Sequence, residues 1–337
     1  MSIRTTIIIP NYNGLRFMEP CLESLKRQTV KDFKLLIVDN GSTDGSADWL
    51  RENHVPTLFL PTNTGFSGAV NAGIRASDTP YVILLNNDTT VEPGYLEALE
   101  KAIGRSDRIF SVSPCVVQMY APELMDDAGD MYSVLGWAYQ RGVGRPVKKY
   151  GGYREVFSAC AAAAIYRRSV FEEMGDFDEK HFAYLEDIDV GYRAKLYGYE
   201  NIYCPDAVVH HVGSGTSGSK YNEFKVRLAA RNNVYLNYKN MRLWQLLWNF
   251  PFLLAGTAVK YGFFVKKGFG RVYLEGLFEG LKTARTCKRV PVMRGRFGRE
   301  LRIQAELYFG TILYCYEFFM RQAAKAKGAA SKKLRES

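Results

Sequence analysis

The first ninety residues alternate between short apolar runs and polar, glycine-containing stretches. The apolar runs at residues 5–10, 33–38, 55–60 and 81–85 have the length and β-branched content of buried strands. Helical stretches are expected between them, at about residues 15–28, near residues 46–52 and after Gly68. Strands and helices at this spacing predict βαβ units and a mostly parallel sheet. The N-terminal part is therefore expected to be an α/β, Rossmann-like domain.

Each predicted strand ends in polar or glycine-rich residues. Residues 11–14 (NYNG) follow the first strand, residues 39–45 (DNGSTDG) the second and residues 86–88 (NND) the fourth, with residues 63–73 beside them. Because the carboxyl ends of parallel strands meet at one edge of a sheet, we expect these loops to converge on one ligand site. Glycines let the backbone approach a phosphate, and the helix after Gly68 offers backbone N–H groups to an anion.

Two interpretations of residues 86–88 stay open. Oxygen ligands at the end of a buried strand suit a divalent cation such as Mg²⁺ or Mn²⁺. Alternatively, Asp88 or Thr89 caps a helix that starts near residues 92–93. The chain contains neither the GxGxxG fingerprint nor the GxxxxGK[ST] loop, which argues against a dinucleotide-binding domain and a P-loop NTPase.

Three carboxylates crowd a second stretch of sequence, at Glu186, Asp187 and Asp189. Neighbouring negative charges raise a carboxyl pKa and make one group a better base. The other interpretation is a helix N-terminus, where acidic residues are favoured by the helix dipole, and both can hold together. His210 and His211 follow a further strand and lead into a Gly/Ser loop, which favours a functional role for one of them.

Four segments in this order, PNYNG, VDNGSTDGS, NTGFSGAVNAG and LLNNDT, resemble family 2 glycosyltransferases of the GT-A fold over roughly residues 4–215. The resemblance implies a nucleotide-sugar donor. It implies that Asn11 and Tyr12 lie by the base and ribose, that Asp39 accepts a hydrogen bond from the base, and that Asn71 lies near the ribose and diphosphate. The donor-binding residues expected on this basis are Pro10, Asn11, Tyr12, Asn13, Asp39, Ser42, Asn63, Gly65, Asn71, Asn86 and Asn87.

The same resemblance assigns the metal and the base. Asp88 is the last residue of a DXD-like motif that binds Mg²⁺ or Mn²⁺, although this chain has only one carboxylate there. Glu186 and Asp187 match the ED motif, which implies that Asp187 removes a proton from an acceptor hydroxyl in an inverting displacement. The family often carries a histidine near the metal, and the sequence does not decide between His210 and His211.

The middle of the chain is less specific. Residues 109–154 begin as a strand and continue into a Gly- and Tyr-rich stretch, expected to be either a solvated surface insertion or a lid facing the acceptor. The small residues of 158–166 favour the packing of a strand against a helix over close contact with a ligand.

Composition and charge divide the chain at residue 220. Residues 220–337 hold 24 Lys and Arg against 7 Asp and Glu, whereas residues 1–219 hold 21 against 28. We therefore expect a catalytic domain over 1–219 and a basic helical region over 220–337. An anionic surface, either nucleic acid or a membrane leaflet, is the partner that such asymmetry favours.

The apolar stretch at residues 243–265 indicates how the basic region is used. Pro251 and Lys260 interrupt it, while Trp244, Trp248 and Tyr261 are residues that a headgroup interface favours. The interpretation is a membrane-associating helix, either interfacial or re-entrant, and the alternative is a soluble helical subdomain packed on the catalytic body. Six scattered cysteines without a CxxC pair, and no signal-peptide pattern at the N-terminus, favour a cytoplasmic protein.

Together these features predict an inverting glycosyltransferase bound peripherally to the inner face of the cell membrane. LLNNDT, LEDIDVGYRAKLYGY and the RNN of the basic region resemble bacterial rhamnosyltransferases, which implies dTDP-rhamnose as donor and a lipid-linked or cell-surface glycan as acceptor. Alternatives are a UDP- or GDP-sugar donor, a non-catalytic sugar-nucleotide binder and a nucleic-acid-binding protein. We expect no nucleic-acid partner, because no base-stacking or groove-reading module is found.

Overall fold

The computed structural model describes residues 3–213, 221–291 and 295–335, with side chains up to residue 322. Within these residues, a mixed α/β body comes first and helices follow from residue 223 onward. The expected boundary between residues 219 and 220 lies outside the described residues, so the two-domain division stays a prediction.

The elements alternate as the N-terminal pattern predicts. In the described residues the strands are β1 (Thr5–Asn11), β2 (Lys34–Asp39), β3 (Thr57–Phe59), β4 (Tyr81–Leu84), β5 (Thr89–Val91), β6 (Ile109–Gln118), β7 (Ala121–Asp127), β8 (Asp130–Tyr132), β9 (Ala138–Gln140), β10 (Arg154–Val156), β11 (Ile165–Arg167) and β12 (Glu200–His211). The α-helices there are α1 (Leu15–Lys26), α2 (Ser46–Glu52), α3 (Gly65–Ala76), α4 (Tyr95–Ile103), α5 (Arg168–Met174), α6 (Glu186–Tyr197), α7 (Glu223–Asn240), α8 (Leu243–Lys266), α9 (Gly270–Thr283) and α10 (Arg296–Arg335).

One large sheet organises the body. Its order is β10-β12-β6-β11-β4-β1-β2-β3, with β5 beside β12 and β7 beside β6. Strands β1 to β4 pair in parallel, as do β6 and β12, while β11 lies antiparallel between β4 and β6. The expected α/β class with a mostly parallel sheet and a helical C-terminal region is therefore confirmed.

Strand β1 lies between two apolar layers. Ile7 and Ile9 pack on one side in a cluster that includes Met18 of α1, and Ile8 packs on the other side with Val70 of α3. Successive side chains of a strand point to opposite faces, so both faces must be apolar when both are covered. This is why the first strand reads as an unbroken apolar run.

Two local expectations are wrong. Asp88 and Thr89 do not cap a helix, because strand β5 begins at Thr89 and helix α4 begins only at Tyr95, after Gly94. Helix α3 begins at Gly65, so most of the stretch expected as a glycine-spaced loop is helical. Gly65 has φ +76°, and a Cβ there would lie 2.5 Å from the carbonyl oxygen of Phe182, so no other residue fits without a shift.

The segment at residues 109–154 is largely built into the fold, and its residues 127–134 are buried. Tyr132 donates a hydrogen bond from its hydroxyl to Asn237 of α7 (2.8 Å), and the hydroxyl of Tyr139 donates to the carbonyl of Gly310 in α10 (2.6 Å). The expected solvated insertion is therefore wrong. The small residues Ala159, Ala163 and Ala164 are buried, in agreement with a packing role.

The C-terminal helices pack on the body and leave an apolar surface outside. Pro251 lies within the 24-residue helix α8 and does not interrupt it. No helix in the described part of the chain combines the length and apolarity needed to cross a membrane. The packing of these helices on the body is common to both interpretations of the basic region, and the exposed apolar residues of α8 are described below.

A buried carboxylate ties α6 to α7. The side chain of Asp189, which is fully buried, accepts hydrogen bonds from Arg193 (3.0 Å), Lys239 (2.8 Å) and Asn240 (2.8 Å). Burial alone would raise the pKa of Asp189, but the charges of Lys239 and Arg193 outweigh it and hold this pKa well below its usual value. Asp189 is therefore a structural ion and not a member of a like-charged catalytic cluster.

We expect Asp189→Asn to lower the free energy of unfolding by about 3–5 kcal/mol at neutral pH. Arg193 would stay buried without its counter-charge, and Lys239 would keep only its pair with Asp178. A depressed pKa stabilises the fold above the unfolded-state value of about 3.9, and this stabilisation is lost as the pH falls below it. The difference between wild type and variant should therefore narrow in acid.

Denaturant unfolding at pH 7 and at lower pH measures this difference. Asp48→Asn is the matched control, since Asp48 forms an exposed pair with Arg51 at 2.8 Å and should change stability by less than about 1 kcal/mol. Equal stability losses in the two variants would contradict the assigned role of Asp189.

Candidate active site

The loops at the carboxyl ends of β1 and β2 are held together by Asn11. Its amide nitrogen donates to Asp39 Oδ1 (2.9 Å) and to Ser42 Oγ (3.1 Å), and Asp39 Oδ2 accepts from the backbone N–H of Ser42 (3.2 Å). Asn11 and Asp39 are buried, whereas Tyr12 keeps 39% of its surface exposed. This arrangement fixes a buried carboxylate beside an accessible aromatic ring.

Asn13 continues the same network. It adopts φ 53°, a left-handed conformation that asparagine tolerates better than most residues. Its backbone N–H donates to Ser42 Oγ (3.0 Å), and its side-chain oxygen accepts from the backbone N–H of Thr43 (2.7 Å). Pro10 lies in β1 opposite Val38 of β2. The first two polar loops therefore form one rigid unit.

Asn40 was not singled out in the sequence, yet it joins the third polar loop to the second. Its side-chain nitrogen donates to Asn63 Oδ1 (3.0 Å) and to the carbonyl of Gly65 (3.1 Å), and its side-chain oxygen accepts from the backbone N–H of Thr64 (2.9 Å). The contacts of Asn63 and Gly65 are thus with the loop after β2, at the beginning of α3.

Asn71 lies elsewhere on α3. It is buried, donates to the carbonyl of Phe177 (2.8 Å) and to Glu179 (3.0 Å), and accepts from the backbone N–H of Phe177 (3.0 Å). The structure therefore uses both ends of this amide to fasten α3 to the segment that precedes α6, instead of presenting it among the loops.

The segment after β4 reaches the same edge. Asn87 donates to Asn11 Oδ1 (2.7 Å), and a Cβ at Gly14 would lie 2.0 Å from the Asn87 nitrogen, so the glycine is required for this approach. The backbone N–H of Asn86 donates to the carbonyl of Ala162 (2.7 Å). The polar loops of β1, β2 and β4 thus converge as the sequence predicts.

Strand alternation separates the two adjacent histidines. His211 lies beside the metal-motif residue, with Nε2 3.5 Å from Asp88 Oδ1 and Nδ1 2.8 Å from Asp126 Oδ2. His210 instead pairs with Glu92 at 2.8 Å. Burial lowers the pKa of His211, but hydrogen bonds with Asp126 and Asp88 outweigh it and raise this pKa to about 10. The expected metal-binding set is therefore divided: the structure brings His211, but not His210, to Asp88.

A second acidic group lies around Asp187. Asp127, Asp130 and Cys160 place one ligand atom each within 4.8 Å of one another, the one such group among the described residues. Burial raises the pKa of Asp127 to about 8 and, with nearby Asp127 and Asp187, raises that of Asp130 well above its usual value. The carboxylates of Asp127 and Asp130 can bind a metal ion. Without a metal, their raised pKa values favour the protonated forms.

Asp187 lies beside this group, and its surroundings change its pKa. Burial raises its pKa, and hydrogen bonds from the backbone of Ile188, from Asp130 and from the backbone of Ala161 partly offset the rise. Burial, with the neighbouring Asp187, also raises the pKa of Glu186 well above normal, and Glu186 Oε2 lacks a hydrogen-bond partner in the described structure. Asp187 is thus a carboxylate whose basicity is increased by its environment.

Helix α7 holds the loop in front of Glu186 and Asp187. Phe182, Tyr184 and Leu185 all have positive φ values, between 63° and 72°, which is unfavourable for such side chains. The side-chain nitrogen of Asn232 contacts the carbonyl oxygens of His181 (2.9 Å), Ala183 (2.9 Å) and Tyr184 (2.8 Å). These bonds stabilise the strained turn from which α6 starts.

Four residues of the candidate site were not singled out in the sequence: Asn40, Asp126, Asp130 and Asn232. The acidic spacing of MDDAGDM was a signal for two of them. Their partners are distant in sequence, however, and only the fold brings these groups together.

Comparisons with known proteins agree with this geometry. The sequence pattern of "Glycosyl transferase family 2" matches residues 6–175. The chain is 30% identical over 237 residues to the N-acetylglucosaminyl-diphospho-decaprenol L-rhamnosyltransferase of Mycobacterium tuberculosis, covering 62% of this chain and 76% of the relative. It is 26% identical over 230 residues to the O-antigen chain rhamnosyltransferase RfbN of Salmonella typhimurium, covering 66% and 70%.

A solved structure supports the fold alone. The crystal structure of GalNAc-T7 with UDP, GalNAc and Mn²⁺ superposes with a TM-score of 0.58 at 13% sequence identity, covering 71% of this chain and 48% of the other. This chain therefore spans about half the length of that protein, and the shared part includes a GT-A-like α/β body.

The environment of Asp187 predicts a pH dependence. A general base must be ionised, so the rate should fall as the pH drops through the raised pKa of Asp187. Asp130→Ala removes a hydrogen bond that lowers this pKa, and should move the acidic limb of kcat/KM upward by about one pH unit.

The control is Asp130→Asn, which keeps a hydrogen-bond donor at the same position and should shift the limb less. The measurement is the pH profile of kcat/KM at saturating metal. A limb that stays in place or moves to lower pH in Asp130→Ala would show that Asp130 does not tune Asp187.

Proposed function

Because the chain belongs to glycosyl transferase family 2, we propose that it transfers L-rhamnose from dTDP-rhamnose to a hydroxyl of a lipid-linked glycan, with inversion at the anomeric carbon. The protein is a glycosyltransferase with a nucleotide-sugar donor. The choice of rhamnose is supported by two relatives, one named for L-rhamnosyl transfer and one as a rhamnosyltransferase. The lipid-linked acceptor is supported by the diphospho-decaprenol in the name of the first.

One observation carries the proposal: a single short segment connects the candidate metal ligand to the candidate base. Ala162 accepts from the backbone N–H of Asn86, two residues before Asp88, and the neighbouring Ala161 donates to Asp187. Both carboxylates therefore lie at the edge of the sheet where the polar loops converge, which is where α/β folds of this kind bind ligands.

In this proposal the loops after β1 and β2 bind the nucleotide. Buried Asp39 accepts a hydrogen bond from the base, and the exposed ring of Tyr12 lies against base or ribose. Pro10, Asn13, Ser42, Asn63 and Gly65 shape this pocket, and Asn86 and Asn87 shape the side toward the diphosphate. Asn71 contributes by fixing α3, since its amide is already occupied.

Asp187 acts on the acceptor. Its carboxylate takes the proton of the acceptor hydroxyl, the hydroxyl oxygen forms a bond to the anomeric carbon, and the bond from that carbon to the diphosphate oxygen breaks with its electron pair. The nucleoside diphosphate leaves, and a single displacement inverts the configuration. Glu186, buried beside the base, sets its environment and does not touch the acceptor.

Asp88 and His211 fit a divalent cation, because carboxylate oxygen and imidazole nitrogen both bind Mn²⁺ and their atoms lie 3.5 Å apart. A bound Mn²⁺ or Mg²⁺ would neutralise negative charge on the diphosphate leaving group. The Mn²⁺ in the GalNAc-T7 structure supports this choice of ion.

Release of nucleoside diphosphate from a panel of donors tests the reaction. We expect release from dTDP-rhamnose, and much less from UDP-GlcNAc, UDP-galactose and GDP-mannose, when a lipid extract supplies the acceptor and Mg²⁺ or Mn²⁺ is present. Asp187→Asn should reduce the rate roughly 10²- to 10⁴-fold, as expected for loss of a general base.

Asp48→Asn changes an exposed carboxylate that pairs with Arg51 and is not among the proposed site residues, so it is the control and should keep the wild-type rate. Release from a UDP- or GDP-sugar would replace the donor while preserving the mechanism. An unchanged rate in Asp187→Asn would contradict the assignment of the base.

We further propose that the C-terminal helices bind the cytoplasmic surface of the membrane. Helix α8 buries polar residues and exposes apolar ones: Asn249 and Gln304 of α10 exchange hydrogen bonds of 2.9 and 2.7 Å inside the protein, while Leu247 is 68% exposed. Further exposed apolar residues of α8 are Leu243, Trp248, Phe250, Phe252, Leu254, Val259, Tyr261, Phe263 and Val265. Such a reversed pattern is unfavourable in water and suits an apolar environment.

The apolar surface continues from α8 onto α10. Trp248 donates from its indole N–H to the hydroxyl of Tyr308 (2.7 Å), and the exposed residues of α10 include Phe309, Ile312, Tyr316 and Phe319. Exposed Lys266 ends α8, and exposed Lys267 and Arg271 follow it. Apolar side chains beside basic ones favour the interface of an anionic bilayer.

Vesicle co-sedimentation tests this surface. The double variant Leu247→Glu/Leu254→Glu should bind vesicles of phosphatidylglycerol and phosphatidylcholine at least about 10-fold more weakly, since each buried leucine contributes roughly 1.5–3 kcal/mol. Tyr120→Glu, at a residue that is 84% exposed on the body, should bind as wild type. Equal binding by the double variant would contradict the proposed surface.

A further inference from the structure

Asp126 lies near the end of β7, outside the four short segments by which the chain resembles the family. In the pairing of β6 with β7, Val117 lies opposite Met125 and Val116 opposite Asp127, so Asp126 is the extra residue of a β-bulge. A bulge breaks the alternation of a strand and redirects a side chain. Here the carboxylate of Asp126 is directed to His211, while that of Asp127 is fully buried.

The contacts of His211 assign a task to each ring nitrogen. Nδ1 lies 2.8 Å from Asp126 Oδ2, a normal hydrogen bond, whereas Nε2 lies 3.5 Å from Asp88 Oδ1, which is long for one. Two ligands bound to one cation at roughly 2.1 Å each are about 3.0–3.4 Å apart. The 3.5 Å between Nε2 and Oδ1 is long for a direct hydrogen bond and lies just above the separation of two ligands of one cation.

We propose that Asp126 is a positioning residue of the metal site: it accepts the proton of His211 Nδ1–H and thereby directs the Nε2 lone pair toward the cation held by Asp88. The proposal rests on the metal site of the proposed function. Hydrogen bonding of the second ring nitrogen to a carboxylate is the usual way in which a protein orients a metal-binding histidine.

Asp126 also adds a negative charge that the metal motif lacks. The metal motif has asparagine at Asn86 and Asn87, so Asp88 alone supplies a negative charge there. Asp126 adds a second carboxylate next to the site from a strand 38 positions further along the chain. Its charge acts through the histidine, without direct contact with the cation.

The chain contains its own matched control. His210, the adjacent residue, pairs with Glu92 at the same distance of 2.8 Å but on the other face of β12. Glu92→Gln removes a carboxylate from a histidine in the same way as Asp126→Asn, without touching Asp88 or His211.

The test measures Mn²⁺ binding to the full-length protein in the presence of dTDP, the nucleoside diphosphate of the proposed donor, by the loss of the free-ion signal in electron paramagnetic resonance. Asp126→Asn and Asp126→Ser should bind Mn²⁺ roughly 10- to 100-fold more weakly than wild type. Glu92→Gln should bind as wild type, and His211→Ala should be at least as weak as Asp126→Asn. Thermal unfolding of each variant verifies that it is folded.

Electron spin-echo modulation from the imidazole nitrogen gives a second readout, which a loss of stability alone would not change. We expect the modulation in wild type and Glu92→Gln, and its loss in Asp126→Asn. Wild-type affinity and modulation in folded Asp126→Asn, together with lost binding in Asp88→Ala, would overturn the role of Asp126 and leave the metal site intact. Absence of Mn²⁺ binding in wild type would overturn both, while donor turnover would still report the glycosyltransferase activity.

Discussion

The buried carboxylate of Asp189 connects the two parts of the molecule. It lies two residues after the candidate base Asp187, and its partners Lys239 and Asn240 end helix α7. Because the charges are removed from water, they stabilise the fold only while all partners are in place. The same contacts therefore hold the first turn of α6, which carries Asp187, against α7. Asn232, further back on α7, holds the strained turn just before it.

The C-terminal helices present two faces of different chemistry. Their inner faces carry polar residues that bind the body, such as Asn232 and Lys239 on α7 and Asn249 on α8. The outer face of α8 is apolar, the reverse of a helix on a soluble surface. A membrane surface bound there would lie at a fixed distance from Asp187, which suits an acceptor attached to a lipid.

Charge is distributed unequally around the candidate active site. The metal motif at residues 86–88 has Asp88 as its only carboxylate, and Asp126 of β7 places a second carboxylate nearby. Around Asp187 there is an excess of carboxylates, and burial raises the pKa values of Asp127 and Asp130 so that protons balance the charge. Asp126 and Asp127 are adjacent in β7, yet Asp126 contacts His211 beside Asp88, whereas Asp127 lies in the acidic group around Asp187.

The sequence by itself determined the α/β fold, the order of its first strands and the polar loops at their carboxyl ends, because apolar runs and strand-end residues are local patterns. It also indicated Asp88 and Asp187, through segments that resemble a family. Only the tertiary structure decided between His210 and His211, since alternation along β12 places one ring on each face. Likewise the structure alone engaged Asn71 with Phe177, redirected Asp126 at a bulge and brought Asn232 to the turn before α6. These contacts join residues up to about a hundred positions apart, and no local pattern encodes which distant partner a polar side chain will meet.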